Sequence, residues 1–112
     1  MQISQILEVE TKENWRSWLQ EHYTSDKDVW FVLYKKNSGK TGVSYPEAVE
    51  EALCFGWIDS VVKAFDKESY LVRFSPRKPN SSYSQDNKQK LRELIREGRV
   101  MKDVVERVKQ IL

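Results

Sequence analysis

Apolar and polar positions along the 112 residues change their period several times, and each change marks an element. Trp15, Trp18, Leu19 and His22 fall at i, i+3, i+4 and i+7, one face of an amphipathic helix, with Thr11 available as its N-cap. Upstream, Ile6, Leu7 and Val9 alternate with Glu8 and Glu10, which fits either a short strand or a lead-in arm. The helical period then stops. Val29 to Tyr34 is an unbroken apolar run between Asp28 and Lys35, the pattern of a strand covered on both faces and therefore central in its sheet. Asn37, Ser38, Gly39 and Gly42, interspersed with Lys35, Lys36 and Lys40, predict a loop.

Ser44-Tyr45-Pro46-Glu47 combines a reciprocal cap with a proline in the first turn, where its missing N–H costs nothing, and so predicts a helix start. Tyr45, Ala48, Val49, Ala52 and Leu53 form the buried stripe of that helix, Glu47, Glu50 and Glu51 its wet side, and Gly56 ends it in a left-handed turn. Trp57 to Phe65 and Ser69 to Ser75 read as the two strands of a hairpin turning at Asp66-Lys67-Glu68, with Tyr70, Val72 and Phe74 alternating against Leu71 and Arg73. Pro76-Arg77-Lys78-Pro79 cannot continue a central strand and predicts an extended surface segment. Ser82-Tyr83-Ser84-Gln85 repeats the capping logic and opens a helix that buries Leu91, Leu94 and Ile95 and runs to Gly98. Met101, Val104, Val105, Val108, Ile111 and Leu112 define a last amphipathic helix beyond Gly98-Arg99. The order is helix, strand, helix, strand, strand, helix, helix. It predicts one α+β domain over residues 1–112, a small mostly antiparallel sheet of three to four strands with about four packed helices.

Composition narrows the class. Apolar residues make up 39% and charged residues 32% of the chain, with four Trp, five Tyr and four Phe, which excludes a disordered profile. A single Cys and a single His exclude an intrachain disulfide and a four-ligand structural zinc site, so no cofactor is expected. MQISQILEVE has neither a basic nor an apolar leader segment, and no apolar run approaches the ~20 residues of a membrane span. A soluble, cytoplasmic protein is the expectation. The net charge of +2 hides an asymmetry: residues 1–62 carry six Lys/Arg against ten Asp/Glu, and residues 63–102 carry eleven against five. Such a basic second half suits an anionic partner, or else it merely solvates two exposed helices.

Several blocks are distinctive: Trp15 with Trp18-Leu19, Val29-Trp30 leading to Tyr34-Lys35-Lys36, Tyr45 with Glu47-Ala48, the run Glu51-Ala52-Leu53-Cys54-Phe55-Gly56-Trp57-Ile58-Asp59-Ser60, and Arg73-Phe74-Ser75-Pro76-Arg77-Lys78 followed by Ser84 and Asn87. In these blocks the chain resembles the YdeI/OmpD-associated family, also described as bacteriocin-protection proteins. It looks like a short member lacking the extra C-terminal region, with Tyr83 where relatives carry Trp. The resemblance implies a cytosolic protein of bacterial or archaeal type and implies no particular reaction.

Candidate chemistry concentrates between Glu51 and Asn87. Trp57, Asp59 and Ser60 stand at a helix-to-strand junction, Arg73 on the partner strand, and Ser75, Arg77, Lys78, Ser81, Ser84 and Asn87 around a later helix start. Convergence of these groups makes a pocket for a small anion near Asp59 and Arg77, such as a phosphate or carboxylate, with Arg77 as a bidentate fork and Lys78 as a point charge. The competing reading makes them scaffolding: Asp59 pairs with Arg77 or Arg73, Ser and Asn cap the helix, and Trp57 is core. A nucleic-acid partner is the alternative, since the basic half carries Lys88, Lys90, Arg92, Arg96 and Arg99, partly offset by Asp86, Glu93 and Glu97. An enzyme is the weakest reading. Asp59 with Ser60, or Cys54 with His22, supplies acid, base and nucleophile types without a spacing that brings them together. The apolar end of the chain either closes the core, as expected, or pairs with a second copy.

Overall fold

The structure, a computed structural model, describes residues 3–78 and 83–112. It contains strand β1 (Ile6–Leu7), helix α1 (Lys12–His22), strand β2 (Val29–Tyr34), a short 3-10 turn (Lys36–Ser38), helix α2 (Tyr45–Leu53), the hairpin of β3 (Trp57–Ala64) and β4 (Ser69–Pro76), and helices α3 (Gln85–Arg96) and α4 (Lys102–Val108). The α+β class is as expected. The sheet, ordered β1-β2-β4-β3, is mixed, because the N-terminal arm pairs parallel to β2 through Ile6 opposite Trp30 while the other pairs are antiparallel. The arm therefore resolves as a fourth strand.

Local chemistry explains most boundaries. The Thr11 hydroxyl accepts from the Asn14 amide at the start of α1, and Ser44 and Glu47 form the reciprocal cap of α2. Gly56 follows α2 at φ 74°, the left-handed value that lets the chain reverse into β3. In the hairpin turn the Asp66 carboxylate accepts from the Glu68 amide and the Ser69 hydroxyl, at 2.8 and 2.7 Å.

All four helices pack on one face of the sheet. Trp15, Leu19, Phe31, Leu53, Trp57, Phe74, Leu91 and Val104 meet there in one core. On the other face Trp30, Val32 and Leu71 form a second, small cluster under Ile3 and Tyr34. This corrects the expected alternation in β4: Leu71 is buried as fully as Val72, since β4 lies beside the doubly covered β2. Among the described residues no helix is long and apolar enough to cross a membrane.

Three further expectations shift. β4 continues through Pro76, which lies opposite Trp57 and beyond the last β2 pair, Val29 with Phe74, so no strand on that side needs its missing N–H. Helix α3 starts at Gln85 with Ser84 as its cap rather than at Ser82; Pro79, Ser81 and Ser82 lie outside the described residues. Glu51 is not on a wet face. It is 4% exposed and receives the guanidiniums of Arg16 at 3.0 Å and Arg99 at 2.7 Å, tying α1 and the α3–α4 connection to α2.

Candidate functional site

A cleft opens where β4 ends. The Arg77 amide donates to the Gly56 carbonyl at 2.9 Å, which draws the strand exit against the turn after α2. Gly56, Arg77, Lys78, Tyr83, Val104, Arg107, Val108 and Ile111 line a cavity of about 180 Å³ between that junction and α4. The Gly56 backbone is closely covered by side chains: a methyl group placed on it would stand 3.1 Å from a terminal guanidinium nitrogen of Arg107 and 3.5 Å from Val104. A side chain at this position would displace Arg107.

Arg77 is held in place by an aromatic face. Its guanidinium carbon lies 3.9 Å from the Tyr83 ring centroid, a cation–π contact, and its Nε is buried with no hydrogen-bond partner among the described residues. Burial pushes the Tyr83 hydroxyl up in pKa, opposed by the positive charges of Arg77 and Arg107, so it stays a neutral donor at neutral pH. Arg107 faces Asp103 one turn back at 3.8 Å, and Asp103 also accepts from the Tyr23 hydroxyl at 3.1 Å. The cleft thus joins three cations, Arg77, Lys78 and Arg107, to an apolar wall of Val104, Val108 and Ile111.

The sequence-derived candidates divide. Arg77 and Lys78 line the cleft together. Trp57 is core, with its indole N–H donating to the Tyr23 carbonyl at 3.2 Å. Asp59, opposite Phe74, lies on the helix-covered side and accepts from the Tyr45 hydroxyl at 2.5 Å; burial, reinforced by this bond, pushes the Tyr45 pKa upward. Arg73, one residue along β4, projects to the opposite face and bonds Asp28 at 2.9 Å. The pleat therefore separates Asp59 from Arg73, and neither lines the cleft. Ser60 donates to the Arg73 carbonyl at 3.4 Å, and Ser84 caps α3 by accepting from the Asn87 amide at 3.1 Å. Ser75 is half-buried opposite Ile58, and Ser81 lies outside the described residues. The pocket expected around Asp59 and Arg77 is thus centred instead on Gly56, Arg77 and Arg107. Nothing in the sequence links Arg107 to Arg77, thirty positions away, except that Arg107 neighbours the buried Val104 and Val108 on its helix.

The groups weighed for catalysis are engaged elsewhere. Cys54 is fully buried, and desolvation pushes its thiol up in pKa despite the positive charge of Arg16 nearby. His22 stacks on Trp18 with ring centroids 4.4 Å apart and has Nδ1 3.2 Å from Asp26. Cys54 and His22 therefore sit with different partners. Among the described residues no three His, Cys, Asp or Glu side chains converge as a metal site.

No curated protein and no solved structure matches the chain. A family model does match, over residues 7–107, nearly the whole length, and it is not that of the YdeI/OmpD-associated proteins. The blocks that suggested that likeness, from Trp15 to Asn87, all fall inside the matched span, so they carry a different kinship. The chain belongs to the family described as domain of unknown function (DUF8412).

Proposed function

We propose that this domain binds a small organic anion, a carboxylate or phosphate carrying a short apolar group, in the Gly56 cleft. The observation that carries the reading is the placement of Arg77, Lys78 and Arg107 around one cavity whose apolar wall, among the described residues, includes Val104, Val108 and Ile111. A guanidinium already stacked on Tyr83 loses little freedom when it grips an oxyanion, and the apolar wall suits the other end of the ligand. Size argues for a small acid. About 180 Å³ is well below the roughly 300–1,000 Å³ of sites that enclose drug-sized ligands. A reducing, cytoplasmic setting goes with this reading, supported by a lone, fully buried thiol.

The test is thermal stabilisation by short alkyl and aryl carboxylates, alkyl phosphates and inorganic phosphate, followed by calorimetry on any that respond. An amphiphilic acid at a hundred times its Kd stabilises the fold by about 2.7 kcal/mol. Arg77→Gln abolishes that response, and Lys78→Gln and Arg107→Gln weaken it. A panel without any stabilising acid, or a response that survives Arg77→Gln, rejects the cleft as the site.

A further inference from the structure

Helix α3 segregates its charges in a way that the chain's composition conceals. Lys88, Arg92 and Arg96 recur every four residues, which on a helix of ~3.6 residues per turn confines them to an arc of about 80° and spaces them about 6 Å apart along the axis. Its acids lie elsewhere. Glu93 falls about 60° and Glu97 about 100° beyond Arg96, on the flank facing α2, where with Lys90 and Leu94 they border a shallow hollow shared with Glu50. The two carboxylates are therefore turned away from Lys88 and Arg92, and Glu93 comes nearest the row beside Arg96.

None of the three stripe cations forms an ion pair with a described residue; the nearest polar partner is Gln89, accepting from Arg92 at 3.5 Å. Some other cations do pair: Arg16 and Arg99 with Glu51, Arg73 with Asp28, Lys40 with Glu68 and Lys109 with Glu106. Lys12, Lys27, Lys35, Lys36, Lys63, Lys67, Lys90 and Lys102 form no ion pair with a described residue but are not set in such a row. Arg92 and Arg96 are exposed and Lys88 is half-buried. No aromatic residue occurs in α3, which removes the stacking faces that single-stranded nucleic acids use.

We infer that the Lys88–Arg92–Arg96 flank of α3 is a docking strip for the phosphate backbone of double-stranded nucleic acid, read by charge and not by base sequence. A row of unpaired cations about 6 Å apart on a rigid helix suits the phosphates of a duplex backbone, whose contacts fix position and carry no base sequence. This inference does not depend on the Gly56 cleft.

Counterion release makes it quantitative. Three phosphate contacts give log K a slope of about −2.7 against log salt, so affinity for a short mixed-sequence duplex falls about 40-fold between about 50 and about 200 mM salt. Fluorescence anisotropy on the intact chain reads this directly. Each single substitution, Lys88→Gln, Arg92→Gln or Arg96→Gln, reduces that fall to about 12-fold, and the triple variant loses binding. Lys90→Gln, on the acidic flank, leaves the slope unchanged. Circular dichroism confirms that the variants remain folded. No duplex binding at low salt, a slope indifferent to the triple substitution, or stronger binding of polyglutamate or anionic vesicles than of duplex would each overturn the assignment.

Discussion

Arg77 and Tyr83 stand guanidinium over ring, 3.9 Å from atom to centroid, with the Arg77 amide also bonded to the Gly56 carbonyl. Arg77 is thereby fixed at the mouth of the cleft through its main chain by Gly56 and through its side chain by Tyr83. The relationship predicts that Tyr83→Phe retains anion binding, since the ring face is kept, while Tyr83→Leu weakens it. A cation–π contact at a partly exposed site contributes about 0.5–1 kcal/mol, so calorimetry with a responding acid should show about two- to five-fold lower affinity for the leucine variant.

Glu51 is the hub of a charged cluster inside the helical layer. Its carboxylate receives Arg16 and Arg99 on separate oxygens, and Arg16 also donates to the Arg99 carbonyl at 2.8 Å. Glu51→Ala leaves two guanidiniums without their counter-charge. Both are about one-third exposed and recover some hydration, so the loss is about 2–3 kcal/mol, less than the roughly 3–5 kcal/mol of a fully enclosed pair. Urea denaturation should show the midpoint falling by about 1–2 M. Glu51→Gln keeps the volume and one acceptor oxygen but sets an amide NH2 against the other guanidinium, so it too destabilises the fold.

Two glycines share a left-handed backbone but differ in what surrounds them. Gly56 has φ 74° with Arg107 and Val104 in reach of a methyl group; Gly98 has φ 73° with nothing within 4 Å. Gly98→Ala therefore costs the backbone term alone, about 1 kcal/mol, and Gly56→Ala costs that plus the displacement of Arg107. Thermal melts rank the two variants. Gly56→Ala should also blunt the response to acids, whereas Gly98→Ala should leave it intact.

Asp28 links the N-terminal arm to the back face of the sheet. Burial alone would raise its pKa, but hydrogen bonds from Ser4 and Arg73 and the Arg73 charge outweigh it and hold the carboxyl below the ordinary 3.8. A group whose pKa is lowered on folding stabilises the native state above the unfolded value and loses that contribution as pH falls through the folded one. The stability difference between the native chain and Asp28→Asn should thus be full at neutral pH and shrink as pH drops below about 4. Urea titrations at stepped pH measure it; a difference that stays constant into acid would show that the Asp28 charge contributes nothing.

Patterns confined to neighbouring residues were readable from the chain itself. The run Val29 to Tyr34, the Ser44–Glu47 cap, the Gly56 reversal and the Asp66 turn depend on local sterics and hydrogen bonds, and each forms where those residues place it. What required tertiary structure was every relationship across the sheet or between helices. The pleat sent Asp59 and Arg73 to opposite faces although they share one hairpin, because the pairing register puts Asp59 beside Phe74. Glu51, acidic and predicted wet, was drawn inside by two arginines 35 and 48 positions away. Arg107 meets the cleft over the bare backbone of Gly56, which lies fifty-one positions away in the chain. Side-chain direction along one element follows from its period, but which elements meet is decided by closing the whole core, and the chemistry of this molecule lies at those meetings.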